Sequence, residues 1–143
     1  MIAFIALLQA SGMTFTENRD PITDRPTVSV EASSGDSRLS MGCVVGEKLK
    51  VTFSTADHYL QRERHLAVWK SRVDGQPPKD IVWDIDDPRT AEIDKTGNAR
   101  KFVNSLLGGS SLRMRVNMDA PSDLVFNIGG STQPLNRVLS ACK

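Results

Sequence analysis

The sequence predicts a mainly β domain of the α+β class: an antiparallel, sandwich-like sheet with two short helices, the second packed on the sheet at the carboxy terminus. Three observations carry that expectation. Apolar and polar residues alternate over several short runs, the period of a half-buried strand. Gly, Pro, Asp and Ser clusters punctuate those runs and mark turns. Only two stretches, after Asn98 and after Thr132, carry apolar residues at the i, i+3, i+4 spacing of an amphipathic helix.

Ile2 to Leu8 is an almost unbroken apolar run that leads into Ala10-Ser11-Gly12. It is too short to span a bilayer, which takes about 20 residues, but it matches the core and small-residue cleavage site of a signal peptide. Residues 1–12 are read as that signal peptide, although no Lys or Arg precedes the run; the alternative is the first strand or helix of a cytosolic domain. Residues 13–26 contain two prolines and alternating charges without apolar periodicity, which reads as a flexible, exposed linker. Residues 27–143 then form a single domain, within the usual size of about 100–150 residues.

A short strand is expected over Thr27 to Glu31, ended by the polar run Ser33 to Ser37. Leu39, Met41, Cys43 and Val45 then alternate, and Leu49, Val51 and Phe53 continue the alternation after Gly46-Glu47, a two-residue loop suited to a type II′ hairpin. Thr55 to Arg64 is polar and reads as a mobile excursion. Leu66 to Val73 and Ile81 to Ile85 are strands separated by Asp74-Gly75-Gln76-Pro77-Pro78, where glycine supplies φ freedom and proline then fixes φ. Ile81, Trp83 and Ile85 share one face, with Val82 and Asp84 on the other.

Ala99, Phe102, Val103, Leu106 and Leu107 recur at helical spacing, with Asn98 as the expected cap and Gly108-Gly109 as the terminator. Leu112, Met114, Val116 and Met118 alternate with Arg113, Arg115 and Asn117, and Leu124, Phe126 and Ile128 form the partner strand. The last helix places Leu135, Val138, Leu139 and Cys142 at i, i+3, i+4 and i+7.

Cys43 and Cys142 thus both fall on core-facing positions, and their placement predicts a disulfide joining sheet to helix. Such a bond belongs to an oxidising compartment, so it goes with export to the periplasm or outside. Two buried free thiols in a cytosolic protein are the other reading. Two thiols and two distant histidines make no zinc pattern, and no cofactor or metal is expected. With 18 Lys and Arg against 17 Asp and Glu, the net charge of +1 gives no global field for nucleic acid.

Three clusters bear on function. Asp57, His58 and His65 bracket the polar loop and could supply a general base, yet no G-x-S-x-G nucleophile motif accompanies them. Asp84, Asp86 and Asp87, followed by Glu92 and Asp94, lack the glycine and closing glutamate of a calcium loop and read as a solvated turn. Arg113 and Arg115 project from one polar strand face, and Arg72 joins them if its strand lies alongside. Guanidinium groups so placed can receive a carboxylate or phosphate through two parallel hydrogen bonds. They are the best local candidate for a binding surface.

Two stretches together carry a family resemblance: Trp69 to Pro77 leading to Trp83, and Phe102-Val103 through Leu106, Leu112 to Val116, Phe126 to Gly130 and Leu135 to Cys142. This arrangement resembles the VasI-like periplasmic proteins associated with type VI secretion, and more loosely the invasion-associated locus B family. The resemblance covers about half of the chain, from Leu66 to Cys142, and rests on a pattern of common residues. It implies a signal-bearing periplasmic β-sandwich-like domain without a catalytic centre, in which a strand cysteine pairs with the carboxy-terminal one; Cys43 and Cys142 are the positions that match. The Arg72-Val73-Asp74 segment matches a family turn.

The expected function is therefore a non-enzymatic exported accessory or binding domain that docks a protein partner or a cell-envelope component, without a stable membrane span. The competing readings are a small hydrolase built on the 57–65 loop and a cytosolic or phage-encoded interaction protein with free thiols. The oligomeric state does not follow from these residues.

Overall fold

The computed structural model describes residues 12–119 and 122–143. Along these residues run β1 (Thr14–Arg19), β2 (Pro26–Ser34), β3 (Ser37–Val44), β4 (Lys50–Thr55), β5 (Leu66–Val73), β6 (Lys79–Asp87), β7 (Thr90–Ile93), α1 (Thr96–Leu106), β8 (Ser111–Val116), β9 (Ser122–Asn127) and α2 (Thr132–Ala141). Every strand pairing is antiparallel, in one sheet of order β1-β2-β3-β4-β7-β6-β5-β8-β9. The expected mainly β architecture with two helices is thus observed. The layers come from one continuous sheet that curls until β2 meets β9.

The alternation read from the sequence decides what lies inside. Leu39 and Met41 on β3, Val51 and Phe53 on β4, Trp69 on β5, and Trp83 and Ile85 on β6 are all buried, as are Leu112, Met114 and Val116 on β8. An aromatic column links the sheet to α1, with ring centroids 5.3 Å apart for Phe53 and Trp69, 5.2 Å for Trp69 and Trp83, and 5.8 Å for Trp83 and Phe102. Edge-to-face and tilted contacts of this kind add to the area term. Helix α1 buries Ala99, Phe102, Val103 and Leu106, and ends at Gly108, whose φ of +76° suits a residue without Cβ. Its cap position is Lys95, so Asn98 is the third residue of the helix instead of its cap. Helix α2 packs on β2 and β3, and the Thr132 hydroxyl accepts a 3.1 Å bond from the Gly108 N–H.

Cys43 and Cys142 meet as expected, with Sγ atoms 2.01 Å apart and Cα atoms 5.8 Å apart, inside the range for a disulfide. Backbone bonds clamp the same corner. The Gly46 N–H donates to Ala141 O (2.8 Å), Leu49 N–H to Lys143 O (3.0 Å) and Lys143 N–H to Glu47 O (2.7 Å). The Arg100 guanidinium donates to Leu139 O (2.9 Å) and Cys142 O (3.0 Å), satisfying carbonyls that a helix end leaves without partners.

Three expectations are corrected. Residues 13–26 are not a linker: they hold strand β1, which pairs with β2 from Thr14↔Glu31 to Arg19↔Pro26. As an edge strand β1 turns only Phe15 partly inward, so no apolar period announces it; Arg137 of α2 holds it by an ion pair to Glu17 and by lying 5.9 Å from the Phe15 ring. The acidic turn after Asp87 continues into β7, which buries Ala91 and Ile93 and wedges between β4 and β6. The β3–β4 loop is wider than two residues, since the last register pair is Gly42↔Lys50. Of residues 1–12, assigned to a signal peptide, residues 1–11 lie outside the described residues, and the Gly12 N–H donates to Gly129 O at 3.2 Å.

Candidate binding face

Because Trp69, Ser71 and Val73 point into the core, the intervening residues of β5, namely Leu66, Val68, Lys70 and Arg72, project from the outer face of the sheet. Strand β8 lies directly beside β5 and brings Arg115 opposite Lys70 and Arg113 opposite Arg72. The structure therefore gathers Arg72, Arg113 and Arg115 on one surface of two neighbouring strands.

Their surroundings differ. Arg115 donates from Nε and Nη2 to both carboxylate oxygens of Asp123 across β9, at 2.8 and 3.0 Å. That hydrogen bonding holds the Asp123 carboxyl below its ordinary range and raises Arg115. Lys70 is likewise bonded to Asp80 at 2.9 Å. One row across the sheet, Asp80–Lys70–Arg115–Asp123, is thus self-compensated. The next row is Arg72–Arg113–Val125, and neither arginine forms an ion pair among the described residues. Like charges directly opposite on neighbouring strands destabilise a sheet. In the other direction along β5, Val68 opposes Val82, and these two with Leu66 are 61 %, 50 % and 42 % exposed. The self-compensated row of Lys70 and Arg115 therefore separates an apolar patch from the guanidinium pair.

A groove of about 630 Å³ lies at the Leu66–Val68 end of this face, lined also by Gln61, Arg62 and Arg64, and one of about 680 Å³ lies over Gly42 on the other half of the sheet, where Ser29, Ser40, Lys48 and Lys50 line it. An open surface of mixed apolar and cationic side chains suits a protein partner.

Asp57, His58 and His65 of the 57–65 loop have separate surroundings. His58 Nδ1 lies 3.1 Å from Asp119 Oδ1, while Asp57 is tied through its backbone N–H to Asp36 Oδ2 at 2.9 Å. His65 lines a separate cleft of about 290 Å³ with Leu66, Val82, Asp84, Asp94 and Lys95. The loop is also packed along the chain after β8: Leu60 is buried and bridges to Met118, and Gln61 N–H donates to Asn117 O at 2.9 Å. Asp74, in the turn after Arg72, serves structure, with its carboxylate accepting the backbone N–H groups of Ser110 and Ser111.

Sequence reasoning missed the outward pair Asp84↔Glu92, two carboxylates brought face to face by β7 on the same side as the arginines. The polar–apolar alternation Thr90-Ala91-Glu92-Ile93 was the available signal, within a stretch dominated by acids. Comparison of the chain with family models, with characterised proteins and with solved structures finds no match.

Proposed function

We propose that this chain is a non-enzymatic accessory or binding domain of the periplasm or the extracellular side, docking an acidic protein partner through the outer face of β5 and β8. The observation that carries the reading is the opposed Arg72 and Arg113 pair: neither forms an ion pair among the described residues, although the adjoining Lys70 and Arg115 each do, and Asp123, the acid within electrostatic reach of Arg113, is already bonded to Arg115. Two guanidiniums held side by side present the donors that a carboxylate takes up in pairs. Val68, Val82 and Leu66 supply the apolar contact that such a face would bury. The Cys43–Cys142 pair supports an oxidising compartment. The resemblance of Leu66 to Cys142 to the VasI-like periplasmic proteins supports an accessory role in secretion.

Titration of the ¹⁵N-labelled chain with an Asp/Glu-rich peptide tests it. Amide shifts are expected on β5 and β8, with at least about a tenfold loss of affinity in the Arg72→Ala/Arg113→Ala double variant. Arg115→Ala, which removes a side chain already bound to Asp123, is expected to change it less. Equal binding by the double variant and the wild type removes the face from consideration.

A further inference from the structure

We propose that the partner of this outer sheet face is a second copy of the chain, packed face to face with twofold symmetry; this rests on reading the face as a docking surface. The sheet carries two cross-strand pairs of like charge on the same side. Arg72↔Arg113 lies at one end and Asp84↔Glu92 at the other. None of the four forms an ion pair among the described residues, and Asp84 Oδ1 is shielded from solvent without a donor. Each pair alone destabilises the sheet, and a shielded carboxylate oxygen without a donor adds to that cost. Each is what the other lacks.

The register sets the spacing. Asp84 is opposite Leu66 and Arg113 is opposite Arg72, so the two pairs are separated by the β5 run from residue 66 to residue 72, about 20 Å at roughly 3.3 Å per residue. Between them lie the apolar row Val68–Val82 and the self-compensated row around Lys70 and Arg115. A twofold axis in the plane of the interface, passing between those middle rows, sets the arginine pair of each copy over the acid pair of the other. Such an isologous contact makes the same pairing of arginines with acids twice and closes on itself. The cleft beside Asp84, walled by Leu66 and Val82, has the form that an arginine needs: an apolar surface for the stem and a carboxylate for the head.

Magnitude decides what kind of dimer this is. Five strands at about 4.8 Å spacing by 20 Å along them give roughly 500 Å² per copy, below the roughly 800 Å² per partner of a standard stable complex. The dimer is therefore reversible and sensitive to salt, because exposed charges are screened over about 8 Å at physiological ionic strength.

Sedimentation equilibrium of the full chain from about 10 μM to 1 mM, at low and at 0.5 M salt, reads it directly. The wild type is expected to shift from monomer to dimer with concentration, more weakly at high salt. The Arg72→Glu/Arg113→Glu variant and the Asp84→Lys/Glu92→Lys variant are each expected to dimerise at least about tenfold more weakly, and an equimolar mixture of the two to recover association. Thermal melts check that both swaps fold, and Arg113→Gln and Glu92→Gln serve in place of a swap that does not. A wild type that stays monomeric throughout, substitutions without effect, or a mixture that stays monomeric overturns the dimer. If the chain is monomeric and the acidic peptide still shifts β5 and β8, the dimer falls and the docking reading stands; if the peptide also fails, both fall.

Discussion

Arg113 and Arg115 stand two residues apart on one strand and meet opposite surroundings. Arg115 is fixed by Asp123, whereas Arg113 faces Arg72 and Val125. Hydrogen bonding from Arg115 lowers the Asp123 carboxyl, so its folded value lies below the unfolded value of about 3.9. Whatever the pair adds to stability is then complete above about pH 4 and is lost as pH falls through the folded value. An NMR titration of the Asp123 carboxyl is expected to give a midpoint below 3.9, moving back up in Arg115→Gln; the same midpoint in both chains would break this assignment. At this scale the sequence was partly readable. Alternation with Leu112, Met114 and Val116 told which way Arg113 and Arg115 point. It did not tell that Asp123 is bonded to Arg115 while Arg113 forms no ion pair among the described residues, because that depends on register across a turn, where a slip of one residue exchanges the faces.

At the scale of elements, the β2–β3 pair depends on Gly42. A Cβ there would meet Val28 O at 2.2 Å and Ser29 Cα at 2.7 Å, both backbone atoms that cannot rotate aside. Gly42→Ala is expected to lower unfolding stability by about 1–3 kcal/mol in urea denaturation, as overpacking does. Ser40→Ala, on the same face of the same strand, is expected to stay within about 0.5 kcal/mol. Elements that bury a full apolar face were legible: β5 begins and ends at the residues its alternation marks, and α1 buries the residues its spacing marks. The two that escaped are the ones with least to bury. Strand β1 has only Phe15 turned partly inward, and β7 spans Thr90–Ile93 with just two inward positions, Ala91 and Ile93, among acids. Their stability comes from neighbours already in place, a contribution that no local pattern records.

For the whole molecule, the disulfide closes a sequence separation of 99 residues. In the chain-entropy model a loop of about that length stabilises by up to roughly 4.7 kcal/mol. The Cys43→Ser/Cys142→Ser variant is expected to unfold at lower urea concentration by an amount approaching that figure, while keeping its native spectrum, because the backbone bonds at Gly46, Leu49 and Lys143 remain. Unchanged stability, or an intact mass without the loss of two protons in unreduced material, would contradict the bond. Sequence alone placed both thiols in one core, since each sits at an apolar position of its own element. Strand order was beyond it: the insertion of β7 between β4 and β6 joins residues distant along the chain, and the curl that brings β2 to β9 has no local signature. The corner where residues 141–143 bond to Gly46, Glu47 and Leu49 also sets an order in time. Strands β2 to β4 pair locally and emerge early from synthesis, but the bonds of Gly46, Glu47 and Leu49 to residues 141–143 form only when residue 143 has been made. The chain is therefore made before its latch exists, and this corner of the sheet is the last to close.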